Sequence, residues 1–145
     1  VTEARVHLTG RFDVPLPPDE AFPLFTPLGE RAWAEGWDPV FPDDASDDSA
    51  PGVVFTTSAH GHGTVWVVVE RNIPASITYA RTTPGDRAGT VTVELSEVDG
   101  GSRVQVTYDL TALRPEAMPA LEHFAADYPS YLHSWQTSIE SILKD

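Results

Sequence analysis

The chain has 145 residues, nine basic and twenty-two acidic side chains, a formal charge of −13 and no cysteine. A nucleic-acid groove needs a basic stripe against phosphate, and an anionic membrane repels so acidic a surface, so neither is an expected partner. Disulfide and thiol chemistry go with the cysteines, and no apolar run reaches the ~18–20 residues of a membrane span. With no signal-peptide pattern either, a cytoplasmic protein is the expectation. The length suits one domain, 1–145, burying about 68–70% of its unfolded surface. Thirteen prolines, well above the ~5% average, fall mostly between elements and read as stiff loops.

Val6, Leu8, Phe12 and Val14 alternate with polar partners, which predicts a half-buried strand from Ala4 to Val14. Pro17 and Pro18 stop it. A short helix from Pro18 to Phe25 is expected next, with Asp19 and Glu20 where the helix dipole favours negative charge. Thr26-Pro27 reads as the N-cap and first position of a second short helix ending at Gly36. The acidic stretch from Trp37 to Pro51 has no periodicity and reads as a loop.

From Gly52 the pattern is that of sheet. Strands are expected at Val53–Ala59, Thr64–Arg71, Ser76–Thr82, Gly89–Val98 and Ser102–Leu110, separated by short Gly- and Pro-bearing turns. Such close succession argues for an antiparallel meander. Val91, Val93 and Leu95 share a face, as do Val104, Val106, Tyr108 and Leu110, while Thr92, Glu94, Arg103, Gln105 and Thr107 take the wet side. In the second of these strands Val65, Val67 and Val69 compete with Trp66 and Val68 for the inner face; Trp66 is taken as inward.

Pro119 to Leu143 carries an apolar stripe of roughly 120° at a 3.6-residue period, through Leu121, Phe124, Tyr128, Leu132, Trp135 and Ile139, with Tyr131 at its edge. Pro129 removes one helical hydrogen bond and crowds the carbonyl of Ala125, so a kink is expected near Ala125–Pro129 in one bent helix. The fold class is therefore α+β: a curved antiparallel sheet of about six strands around a long C-terminal helix, with two short helices after the first strand. A sheet with one apolar face must be covered, and only the terminal helix is long enough. A rod across a concave, twisted sheet leaves space beside it, and a pocket follows.

In this order of elements the chain resembles the SRPBCC superfamily, the helix-grip fold of START domains, pollen-allergen-like proteins and bacterial polyketide cyclases. Leu24-Phe-Thr-Pro27, Gly29-Glu30 with Trp33, Gly36-Trp-Asp-Pro39, Tyr79-x-Arg81 with Pro84, Val106-Thr-Tyr108 with Thr111-Ala-Leu113, and Phe124 with Trp135 resemble an uncharacterised bacterial branch. The resemblance implies a cavity between sheet and helix for lipids, polyketides or other apolar small molecules. It implies no particular reaction, since fold does not decide function.

The candidate ligand-binding residues are Trp33, Trp37, Phe55, Trp66, Tyr79, Arg81, Tyr108, Phe124, Tyr128 and Trp135. Any one of the aromatic residues suits a packed core, but spread over the short helices, the strands and the last helix they suit a pocket wall with polar handles. Arg81 is in phase with Ile77 and Tyr79, so it points inward and demands an anion, or else sits on the rim beside an acidic neighbour. His60 and His62 lack a visible third ligand for zinc, and Asp43, Asp44, Asp47 and Asp48 lack EF-hand spacing, so no metal is expected. No phosphate loop, nucleophile elbow or Ser/His/Asp grouping appears, and no cofactor is expected. Small-molecule binding leads; a cyclase- or dehydratase-like enzyme and a cochaperone-like interaction module are the alternatives.

Overall fold

A computed structural model describes residues 4–44, 46–59 and 62–144. Its sheet has six strands: β1 Arg5–Val14, β2 Val54–Ala59, β3 His62–Asn72, β4 Ser76–Thr83, β5 Arg87–Val98 and β6 Gly101–Ala112. Their order across the sheet is β1-β6-β5-β4-β3-β2, every neighbour antiparallel. The expected meander is present, with its strands slightly longer than alternation alone marks. Polar pairs on the convex face support it, Thr78 with Thr92 at 3.2 Å and Gln105 with Glu94 at 3.2 Å.

The concave face is best described as rows running across the strands. At one end Phe12, Val104 and Leu95 lie side by side, followed by Gly10, Val106, Val93 and Ile77. These rows are packed apolar core, with Ile77, Val104 and Val106 wholly buried. Next come Leu8, Tyr108, Val91, Tyr79 and Val68, and then Val6, Leu110, Gly89, Arg81, Trp66 and Phe55. Side chains thus grow larger and more polar along the face. Trp66 is inward, as expected, and Val65 and Val69 are exposed. A register shift between Val68 and Glu70 puts Val69 at a bulge, which breaks the strict alternation of the strand.

Between β1 and β2 the chain forms α1 Pro18–Ala21, then single 3-10 turns at Phe22–Phe25 and Gly29–Ala32. The second expected helix is therefore only one tight turn. Its N-cap is Leu28 and not Thr26, though the Thr26 hydroxyl still accepts the Gly29 N–H at 3.1 Å. At the C-terminus the expected kink divides the helix, giving α2 Met118–Ala126 and α3 Tyr128–Leu143 about Asp127. Pro129 has no N–H to continue the ladder and sits in the first turn of α3, where none is needed. Among the described residues no helix is long and apolar enough to cross a membrane.

The helix α3 is seated at one side of the sheet. Its principal packing among the strands is against β1, where Leu132 lies directly over Gly10. A Cβ at Gly10 would overlap the Leu132 side chain and touch Tyr128. The Tyr128 hydroxyl donates to the Val106 carbonyl at 2.6 Å beside this seat. Gly10→Ala should therefore destabilise the fold by about 1–3 kcal/mol, the usual cost of overpacking. In a Leu132→Val background the same change should cost less than about 1 kcal/mol. Denaturant midpoints of the four proteins measure this; a neutral Gly10→Ala would mean that the helix does not sit there.

Candidate functional site

The segment from Phe22 to Trp37 forms a second cover over the concave face, on the side that α3 leaves. It has little regular structure, so side chains fix it. The Tyr79 hydroxyl donates to the Phe25 carbonyl at 2.7 Å, tying the segment to the middle of the sheet. The indole N–H groups of Trp33 and Trp37 donate to the carbonyls of Leu24 and Pro27 at 2.8 and 2.7 Å. The Leu28 N–H donates to Asp48 at 2.8 Å, and Arg71 holds the neighbouring Asp47 at 2.8 Å. Asp47 and Asp48 thus brace this cover. Gly29 is required where the two 3-10 turns meet, because a Cβ there would overlap the Pro23 carbonyl oxygen.

Sheet, segment and α3 enclose a cavity of about 460 Å³, within the ~300–1,000 Å³ range of small-molecule sites. Eight of the ten residues singled out from sequence line it: Trp33 and Trp37 from the cover, Phe55, Trp66, Tyr79, Arg81 and Tyr108 from the sheet, and Trp135 from α3. Phe55 and Trp66 stack with ring centres 5.8 Å apart and planes 2° from parallel. Trp37 meets both edge-on, and Trp33 packs on Trp135 at 5.1 Å. Phe124 and Tyr128 do not reach the cavity wall. They stand behind it, each edge-on to Tyr108. Exposed Glu35, Gly36, Ser58 and Ser134 mark the mouth. His60 and the side chain of His62 lie outside the described residues.

Three polar groups stand within this aromatic wall. Arg81 points inward, its guanidinium carbon 5.2 Å from the centre of the Trp66 ring. One terminal nitrogen donates to Thr83 at 2.7 Å, and Thr83 pairs with Thr64 at 2.7 Å. Its Nε is enclosed without a hydrogen-bond partner, and no carboxylate among the described residues forms an ion pair with it. Burial pushes the Arg81 pKa down, yet a guanidinium remains charged at neutral pH.

The second group is the Tyr108–Tyr131 pair, whose hydroxyls are 3.3 Å apart. Burial raises both pKa values, so both remain neutral donors. The third is Glu30, on the 3-10 turn that Gly29 permits. Its surface is open only in part, and the surrounding protein desolvates the carboxyl and pushes its pKa well above the usual carboxylate range. Its charge would also raise the pKa values of Tyr79, Tyr108 and Tyr131, an effect secondary to their burial. A cation and a carboxyl that favours its neutral form thus share one cavity.

Glu30 and Tyr131 were not among the residues singled out. Glu30 drew notice only within a short motif, although Glu30, Trp33 and Trp37 have the three-then-four spacing of one helical face. Tyr131 lies at the edge of the apolar stripe, which hid its role. Ser134 belongs to the helix's polar side and reaches the mouth because the mouth is wet.

The Glu30 shift has a consequence for stability. Between its unfolded value near 4.5 and its raised folded value, the native state holds more protons than the unfolded one. Stability therefore falls as pH rises through that window. Glu30→Gln should remove this loss, giving a variant more stable than the parent at pH 8 and nearly equal to it at pH 4. Paired thermal melts across pH test it, and parallel curves would show that the carboxyl is solvated.

Known structures share this architecture at low sequence identity. Protein MLL2253 from Mesorhizobium loti superposes with a TM-score of 0.70 at 16% identity, over 97% of this chain and 99% of that one. Ara h 8.0201 gives 0.65 at 15% identity over 97% and 99%. DynU16, a protein in the dynemicin biosynthetic locus, gives 0.63 at 14% identity over 96% of this chain and 48% of its own. A search of curated proteins finds no match. These likenesses bear on fold alone, and the six-stranded sheet with its long C-terminal helix is the helix-grip arrangement. Residues 5–136 match the model of a family described as polyketide cyclase/dehydrase and lipid transport, and the chain belongs to that family.

Proposed function

We propose that the protein binds an apolar or amphipathic small molecule, such as a lipid, polyketide or aromatic metabolite, in the cavity between the sheet and α3. The observation that carries this reading is a cavity of about 460 Å³ walled by stacked aromatic rings and open at one mouth. Such a wall supplies apolar area and few polar handles, the usual make-up of a ligand site. Trp33, Trp37, Phe55, Trp66, Tyr79, Arg81, Tyr108 and Trp135 are the contact residues in this reading, with Phe124 and Tyr128 supporting Tyr108 from behind.

Tryptophan emission is a direct test, because all four tryptophans of the chain line the cavity. A ligand that enters should change the emission, raise the melting temperature and bind with a negative heat-capacity change. The panel should span fatty acids, fused aromatic polyketides and sterols. If none alters emission or melting temperature, the binding reading fails. A protein-interaction module would then lead, supported by exposed Val54, Val65 and Val69 on the outer face of β2 and β3.

Glu30 favours a second reading, an enzyme of the cyclase or dehydratase kind. A carboxyl held neutral by burial can protonate a carbonyl or a departing hydroxyl, and the tyrosine pair can hydrogen-bond the same oxygen. Under this reading Glu30→Gln should retain ligand binding and lose turnover by about 10²-fold or more. Equal turnover in the two proteins would remove Glu30 from the chemistry.

A further inference from the structure

The row of Arg81 is the one place on the concave face where a full charge meets open space. On β5 it is opposite Gly89, which contributes no side chain, and on β3 it is opposite Trp66. The guanidinium is held on two sides. Trp66 lies beneath it, Thr83 accepts one N–H, and the Thr64–Thr83 pair fixes that hydroxyl. The Trp66 indole N–H is itself committed to Thr57 at 2.9 Å. These contacts aim the cation without neutralising it. Enclosed Nε has no acceptor, and an enclosed donor left unpaired is destabilising. The nearest acidic partner on the same sheet end, Asp86, is taken by Arg87 at 2.6 Å.

From this geometry we infer that the cavity is built for a flat aromatic monocarboxylate, its carboxylate paired with Arg81 and its rings against Trp66 and Phe55. The inference rests on the reading of the cavity as a ligand site and narrows it to one class. The two terminal nitrogens of a guanidinium form a fork that a carboxylate meets with two parallel hydrogen bonds. Stacked Phe55 and Trp66, with Trp37 and Tyr79 edge-on to both, present flat walls suited to fused rings. Glu30 forms no ion pair with Arg81 among the described residues and is not among the charges that act on it. Arg81 is the single Lys or Arg among the described residues that line the cavity, which suits one negative charge better than the two of a phosphate monoester.

The test uses four probes on the full chain: 2-anthracenecarboxylate, its neutral carboxamide, 2-naphthyl phosphate and 2-naphthoate. At pH 7 the carboxylate should bind about tenfold or more tighter than the carboxamide. The preference should persist in 0.5 M NaCl, because an enclosed pair is little screened. Arg81→Met should abolish the preference, bringing the carboxylate and carboxamide affinities within about twofold of each other. Arg81→Lys keeps the charge without the fork, and it should lose most of the preference if the Met variant proves too unstable to measure. Carboxamide binding with no carboxylate preference overturns the inference and leaves the cavity reading intact. A preference retained in Arg81→Met, or lost in salt, also overturns it. So does tighter binding of the phosphate than of 2-naphthoate. If no probe binds, the inference is overturned, and the panel of fatty acids and sterols decides the broader reading separately.

Discussion

The seat of α3 on Gly10 is the constraint on which the rest of the molecule depends. A helix over a curved sheet settles where its side chains can approach the backbone most closely. Here that place is the side of β1, where a residue without a Cβ admits Leu132 and where Tyr128 reaches the Val106 carbonyl. Against β1 the helix cannot also cover β2, β3 and β4. That half of the concave face is left to the segment from Phe22 to Trp37, a cover pinned by Tyr79, Trp33 and Trp37 rather than by helical packing. Two covers meeting over one sheet leave the space between them.

Enclosure then sets the chemistry of what lies inside. Desolvation acts on Arg81 and Glu30 in opposite senses of charge, lowering the pKa of the base and raising that of the acid. A direct ion pair between them would have closed the cavity with its own charges. Instead the arginine rests on Trp66 and a threonine, while the acid stays apart. The outcome is a site with one anion receptor and several neutral donors, enclosed by rings. Binding and proton transfer are both within its means, which is why the two readings share the same residues and are separated by Glu30 alone.

Much of this was legible in the sequence. Strict alternation at Val91–Leu95 and Val104–Leu110 indicated the inner face, whereas the phase of Arg81 with Ile77 and Tyr79 left it open between the inner face and the rim, because a strand-end arginine can reach either. In β3 alternation was weaker, since five of the residues from Val65 to Val69 are valine or tryptophan and a bulge follows. The segment after β1 was the least legible. Its caps and prolines suggested two helices, but its conformation is decided by hydrogen bonds from Trp33, Trp37 and Tyr79 to carbonyls, partners that no local pattern reveals. Glu30 was missed for the same reason: whether an acid is solvated depends on what the rest of the chain places around it. Pro129 was legible as an interruption, and the structure turned that interruption into a new helix start.

A crystal structure of the protein as purified, at a resolution that shows ordered water, tests the central claim most directly. The account predicts α3 against Gly10, a cavity of about 460 Å³ holding water or a co-purified molecule, and Arg81 over Trp66 with no protein carboxylate in contact. A helix shifted toward β4 that fills the cavity with Trp135, or an Arg81 turned out to pair with Asp86, would contradict it.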